Sequence, residues 1–241
     1  MPIDNKPDAV ILCGGQGTRL RSVLGDGPKS LAEVGGRPFL EILLDQLKTA
    51  GWRRVVLCTG YGSAALQQHF NSTGPALEIC FSEEQVPLGT GGALRNALPL
   101  LKTDMALVMN GDSYVSLHLA DVHRHYLQRK TDVLMVDVPA DTRTDAGAVA
   151  VDSLGRVTGF AEKTKAGGAR FYNAGVYLIA RPLLEAVPSG RPVSLEQELI
   201  PKWIERGMHA YIHQGRLLDI GTPERLADAN SFFEQLPRSR P

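Results

Sequence analysis

Near the amino terminus a short apolar run, Ala9 to Cys13, passes directly into Gly14, Gly15 and Gly17, with Thr18 in the same loop and two cations, Arg19 and Lys29, close behind. Glycine lets a backbone adopt positive φ and approach an anion closely, so that successive N–H groups can converge on phosphate oxygens. The chemistry this predicts is a grip on the triphosphate of a nucleotide. Further along, the apolar run Met105 to Met109 ends at Asn110-Gly111-Asp112. That sets a carboxylate just past the carboxyl end of a buried strand, where open α/β sheets bind their ligands. A second carboxylate, Asp219, stands in Asp219-Ile220-Gly221-Thr222-Pro223. Taken singly, each has a plainer reading: Asp112 can cap a turn, Asp219 the helix at Thr222, and Arg19 can be a solvated helix residue.

Two familiar phosphate loops are excluded. A dinucleotide fingerprint would need glycine where Leu20 stands, and a Walker A loop would need G-K-[ST], whereas Gly27-Pro28-Lys29-Ser30 inserts a proline without an N–H. Lys plus Arg and Asp plus Glu are balanced at 26 each over the 241 residues, so no basic field points to nucleic acid and any anion site is local. Cys13, Cys58 and Cys80 each lie in or beside an apolar run, without the close spacing of a zinc or redox pair, and read as reduced thiols. The six histidines form no i, i+4 metal pair on a helix. No leader pattern and no span of ~20 apolar residues occurs, so a cytoplasmic protein with no membrane partner is expected.

The elements that must position these residues alternate. Pro38 suits the start of a helix whose apolar face is Leu40, Leu43, Leu44 and Leu47, ended by Gly51. Arg54 to Thr59 reads as a second buried strand, followed by a helix through Leu66 and Phe70. Leu77, Ile79 and Phe81 alternate as a third strand. A loop holding Pro87, Gly89, Gly91 and Gly92 leads into a helix from Ala93 to Leu98. After Met105 to Met109, a helix from Leu119 to Gln128 presents Leu119, Val122, Tyr126 and Leu127 on one face, and Val133 to Val138 is a strand. The alternation then breaks. Ala148 to Asp152 and Val157 to Ala161 flank a tight turn as a hairpin, and Phe171 to Ile179 is a longer strand, which predicts a mixed sheet. Lys163 to Arg170 is polar and glycine-bearing, suited to a lid. Ser194 with Gln197 forms a capping box before Leu199, Ile200, Trp203 and Ile204, with Pro201 kinking or restarting the helix. Tyr211 to His213 and Leu217 to Ile220 are short strands, and Thr222-Pro223 opens a last helix burying Leu226, Ala229 and Phe233. The tail after it is expected to fray. No repeat or linker interrupts the chain, which reads as one domain, 1–241.

From Ala9 to about Ala229 the sequence resembles the sugar-nucleotidyltransferase family. The resemblance is carried by Gly14 to Leu20 with Pro28-Lys29, Pro87 to Ala93, Asn110-Gly111-Asp112, Phe160-Ala161-Glu162-Lys163, Asn173 to Tyr177, and Asp219 to Pro223, six motifs in the family's order. It implies an α/β fold, three-layer α/β/α and Rossmann-like (GT-A-like), with a mixed, mostly parallel sheet. About 8–140 would form a nucleotide-binding half and about 141–232 a sugar-phosphate half. The implied reaction is attack of a sugar 1-phosphate oxygen on the α-phosphate of a nucleoside triphosphate, with pyrophosphate expelled. Catalysis is then mostly positioning and charge neutralisation.

By the same resemblance Mg²⁺ is held by Asp112 and Asp219, and Arg19, Lys29 and Lys163 neutralise phosphate charge. Gly14, Gly15, Gly17, Thr18, Glu84, Gly89, Thr90 and Asp112 contact the nucleotide, and Gly147, Glu162, Lys163 and Asn173 the sugar phosphate. Guanine offers N1–H and N2–H donors that Glu84 could accept, whereas Gln85 would read uracil or thymine as well. The partners implied are small molecules alone, with self-association left open.

Within the family the short guanylyltransferases acting on D-glycero-α-D-manno-heptose 1-phosphate are most alike, through GGQGTRLRSV, RPFLEILLDQL, PLGTGGAL and DIGTPERL. The rivals are mannose-1-phosphate guanylyltransferase, uridylyl- or thymidylyltransferases acting on N-acetylmuramate or glucose 1-phosphate and, from another class, a non-catalytic nucleotide-sugar sensor. Two positions depart from the family pattern: Cys13 replaces a common alanine, and Ser30 the usual proline after Lys29. With no β-helix extension in the sequence, the acetyltransferase or allosteric domain of longer relatives is not expected.

Overall fold

The computed structural model describes residues 6–15, 17–25, 27–73, 77–140, 147–162 and 170–235. In chain order it runs through β1 (Asp8–Leu12), α1 (Arg21–Leu24), β2 (Glu33–Val34), β3 (Arg37–Pro38), α2 (Phe39–Thr49), β4 (Arg54–Thr59), α3 (Ser63–Thr73) and β5 (Glu78–Glu83). It continues through α4 (Gly89–Ala97), β6 (Met105–Asn110), β7 (Ser113–Val115), α5 (Leu119–Arg129), β8 (Val133–Pro139), β9 (Ala148–Val151) and β10 (Val157–Ala161). The last elements are β11 (Phe171–Ala180), α6 (Arg181–Glu185), α7 (Ile200–Glu205), β12 (His209–Ile212), β13 (Leu217–Asp219) and α8 (Pro223–Gln235).

One nine-stranded sheet takes in both halves of the chain, in the order β10-β9-β11-β6-β1-β4-β5, with β8 against β11 and β12 against β8. The register makes seven of its nine strands run one way; β10 and β11 oppose them. The mixed, mostly parallel sheet is therefore as the sequence implies. Strands β1, β4, β6 and β8 are near-continuous runs of Val, Leu, Ile, Ala and Met because both sheet faces are covered. One core packs β1 through Ala9 and Ile11 against α2, α3, α5 and α8; the other packs Val10 against α4, α6 and α7. That is a three-layer α/β/α arrangement. None of the described helices is long and apolar enough to cross a membrane.

Several local expectations are corrected. Helix α4 begins at Gly89, not Ala93, so the glycines lie inside it. They are there for close packing: Gly91 and Gly92 both donate to the Val193 carbonyl, at 2.8 and 3.2 Å, and a Cβ on Gly89 would lie 2.6 Å from that oxygen. On α5, Leu127 is half exposed and His123 takes its place in the interior. Strand β5 is a half-buried edge, and Leu77 precedes it. Phe233 is only partly buried.

The capping box is shared among three residues. Ser194 Oγ accepts from the Gln197 N–H, but the return bond to the Ser194 N–H comes from Glu198. A π-helical turn, Leu195–Leu199, then gives way to α7 at Ile200, so that Pro201 lies in the first turn of the restarted helix. The expected lid lies outside the described residues except Arg170, as does the tail after Gln235.

Candidate active site

A cavity of about 830 Å³ opens where β1, β4, β5 and β6 end and β11 begins. Gly14 and Gly15 leave β1 and line it. Gly15 has no atom within 4 Å of a notional Cβ, so its backbone faces open space; a Cβ on Gly14 would sit 3.6 Å from Glu84 Oε1. Arg19 and Lys29 also line the cavity. Gly17 and Thr18 do not, and Gly17 acts on Lys29 instead. With φ of +56° its Cβ position is 3.1 Å from Lys29 Cβ, so the glycine lets the lysine stem lie against the loop.

The two carboxylates come together through a two-strand ladder. Antiparallel β7 and β13 pair Ser113 with Asp219, and the Ile220 N–H donates to the Asp112 carbonyl at 3.0 Å. Lys29 Nζ, mostly buried, donates to Asp112 Oδ2 at 2.7 Å. A notional Cβ on Gly221 falls 2.8 Å from Asp219 Oδ1 and 3.8 Å from Lys29 Nζ, so all three charges share one mouth. Arg225 on α8 donates to both oxygens of Asp219, at 3.1 and 3.2 Å, and the Gly221 N–H adds a third bond. Sequence reasoning passed over Arg225, because an arginine in the first turn of a helix reads as solvated; its spacing from Asp219 was the only signal.

Glu84 leaves β5 half-buried. Its Oε2 accepts from the Leu88 N–H at 2.8 Å; burial raises its pKa and that bond lowers it in part. Gln85, also lining the cavity, is exposed. Gly89 and Thr90 reach the cavity from the start of α4. Thr90 is held by Glu196 and by the Leu195 N–H, both at 2.8 Å, which brings the unforeseen Glu196 to the wall.

On the far side lie Gly147, Phe160, Glu162 and Asn173. A Cβ on Gly147 would meet the Phe160 ring at 2.8 Å, and its carbonyl accepts the Asn173 N–H at 2.9 Å. Asn173 sits at a bulge between β11 and β8. Its Oδ1 accepts from the Gly175 N–H and its Nδ2 donates to Tyr177 Oη. The bulge aims the side chain at the cavity. Gly175, with φ of +72°, leaves room for Asn110, which a Cβ would strike at 2.6 Å. Lys163 lies outside the described residues. Cys13 is buried beneath the loop, its thiol pushed up to about 12 by burial first and then by Asp112.

Five carboxylates (Glu84, Asp112, Glu162, Glu196, Asp219) and three cations (Arg19, Lys29, Arg225) line the cavity. Among the described residues no three His, Cys, Asp or Glu side chains cluster as a self-sufficient metal cage. The carboxylate surplus and the Asp112–Asp219 pair fit a hard divalent cation that completes its shell with water and phosphate oxygens.

Fold and cavity together set a glycine loop, three cations and a carboxylate pair around one cavity at the carboxyl ends of the parallel strands. The chain belongs to the nucleotidyl transferase family, whose model matches residues 8–236. Members of this family generally use a divalent metal. The chain is 35% identical to the mannose-1-phosphate guanylyltransferase of Mycobacterium tuberculosis over 90% of its own length and 62% of that protein's. It is 31% identical to the D-glycero-alpha-D-manno-heptose 1-phosphate guanylyltransferase of Campylobacter jejuni, over 90% of this chain and 95% of the other. Among solved structures, HddC from Yersinia pseudotuberculosis superposes with a TM-score of 0.85 at 31% identity, covering 95% of this chain and all of that one. The same protein complexed with GMP-PN gives 0.83.

Proposed function

We propose that this chain transfers a guanylyl group from GTP to D-glycero-α-D-manno-heptose 1-phosphate, yielding GDP-heptose and pyrophosphate. The observation that carries the reading is the β7–β13 ladder, which sets Asp112 and Asp219 beside Lys29 at the mouth of a glycine-lined cavity. The heptose assignment is supported by full-length similarity to the Campylobacter enzyme. Mannose 1-phosphate is the second reading, favoured by the higher identity to the mycobacterial one.

In the proposed reaction a phosphate oxygen of the sugar 1-phosphate forms a new bond to the α-phosphorus. The bond from that phosphorus to the bridging oxygen breaks, and its electron pair leaves with pyrophosphate. Gly14 and Gly15 present backbone N–H groups to the triphosphate, with Arg19 and Lys29 neutralising its charge. Glu84 accepts from guanine. Glu162 and Asn173 hold sugar hydroxyls, Gly147 leaves room for them, and Lys163 takes the sugar phosphate. Residues 8–140 thus form the nucleotide half and 141–232 the sugar half. Mg²⁺ is the metal assigned to Asp112 and Asp219, where it supplies charge neutralisation at the phosphates.

Asp112→Ala and Asp219→Ala are each expected to lower pyrophosphate release from GTP and the heptose phosphate by about a thousandfold with the fold retained. Undiminished turnover in either would overturn the metal assignment.

A further inference from the structure

A second groove, of about 960 Å³, lies away from the active cavity and shares none of its lining residues. Its walls come from the end of α5, the turn joining β9 to β10, the start of β11 and β12. Three arginines line it, Arg129 from α5, Arg156 from the turn and Arg170 beside β11, the last with its guanidinium 5.8 Å from the Phe171 ring centre, and His125 and His209 line it too. None of the three arginines is ion-paired to a carboxylate among the described residues. The one carboxylate in the groove, Asp152, accepts from the Leu154 and Arg156 N–H groups at 2.9 Å each, and its charge also acts on Arg156 and His209 without a direct ion pair. Arg129 leans on its own surroundings, donating to His125 at 3.3 Å and to the Leu154 carbonyl at 3.4 Å.

We propose that this groove is a binding site for a diphosphate group, held by Arg129, Arg156 and Arg170. A guanidinium offers paired donors matched to phosphate oxygens, and three of them suit an anion carrying two linked phosphates better than a single one. Both histidines report the positive field. Burial first, and then Arg129, holds His125 and His209 below the ordinary histidine pKa; Arg156 adds to the effect at His209 and His209 to that at His125, while Asp152 and the Gly155 backbone oppose it at His209. A bound diphosphate reverses that field and raises both values.

The proposal concerns binding alone and does not rest on the identity of the nucleotide or sugar used in the active cavity. Free pyrophosphate and the diphosphate of a nucleotide sugar share the chemistry, and separate titrations distinguish them.

The test is calorimetric titration of inorganic pyrophosphate, GDP-mannose and inorganic phosphate into the wild-type protein, into Arg129→Gln/Arg156→Gln and into Arg19→Ala/Lys29→Ala. Two pyrophosphate sites are expected in the wild type. The groove variant loses one, with at least tenfold weaker binding there, while the cavity variant keeps it. Binding of GDP-mannose to the groove with a free pyrophosphate site absent assigns the groove to the nucleotide-sugar diphosphate. Histidine NMR in the cavity variant is expected to show the pKa values of His125 and His209 rising on saturation with whichever diphosphate binds. A groove affinity for inorganic phosphate equal to that for both diphosphates overturns the proposal, as does the lack of any site, for pyrophosphate or GDP-mannose, that is lost in Arg129→Gln/Arg156→Gln and kept in Arg19→Ala/Lys29→Ala.

Discussion

Replacing Glu84 by glutamine tests how the proposed guanine contact is made. Glu84 Oε2 already accepts the Leu88 N–H, which leaves Oε1, 3.6 Å from the Cβ position of Gly14, as the oxygen facing the nucleotide. Glutamine can keep the bond to Leu88 through its own carbonyl, so the turn into α4 is retained. The atom then presented to the base is an NH₂ group, and it meets the N1–H and N2–H donors of guanine with another donor. A hydrogen bond to a charged group contributes about 1.5–3 kcal/mol, which corresponds to roughly a ten- to hundredfold loss in kcat/KM for GTP. UTP and dTTP, which offer a carbonyl as well as an N–H, should lose far less. The same contact fails on acidification: burial raises the Glu84 pKa, so the carboxylate is protonated at a higher pH than an exposed glutamate and GTP preference falls there first. The assay is kcat/KM for each triphosphate, for wild type and Glu84→Gln, across pH. An unchanged ratio of GTP to UTP in the variant would refute the contact.

Other consequences are independent of the base. Asp137 is fully buried on β8 with neither carboxyl oxygen hydrogen-bonded, and burial holds its pKa well above the carboxylate range. Above about pH 4 the unfolded chain releases a proton that the folded protein keeps, so stability from this group falls by about 1.4 kcal/mol per pH unit until the folded pKa is reached. Urea unfolding of Asp137→Asn should therefore show a flatter decline with rising pH than wild type, and parallel profiles would contradict the assignment. Gly147→Ala should push the Phe160 ring, 2.8 Å from the added Cβ, toward the cavity. The expected result is a KM for sugar phosphate raised about tenfold with the KM for triphosphate little changed; equal changes in both would count against the division of the cavity.

What the sequence disclosed was governed by locality. The apolar run into Gly14 and Gly15, and the strand ending at Asp112, could be read because strand, turn and charged residue are neighbours in the chain. The mixed direction of the sheet was also legible, since the hairpin after Val138 interrupts the alternation of strand and helix. Contacts between distant segments were not. Arg225 reaches Asp219 only because α8 turns back over β13, and Glu196 meets Thr90 across 106 positions. Gly91 and Gly92 looked like loop residues because glycine weakens a helix, but the approach of Val193 outweighs that propensity. Leu127 and His123 exchanged places for a related reason: each lies on an edge of the apolar stripe, and packing against β8 and β12 decides which is covered.

The most direct measurement is pyrophosphate release from a matrix of GTP, UTP, dTTP and CTP against heptose, mannose, glucose and N-acetylmuramate 1-phosphates, with Mg²⁺ present. The proposed function predicts the highest kcat/KM for GTP with D-glycero-α-D-manno-heptose 1-phosphate. A preference for UTP or dTTP, or no release with any pair, would contradict it.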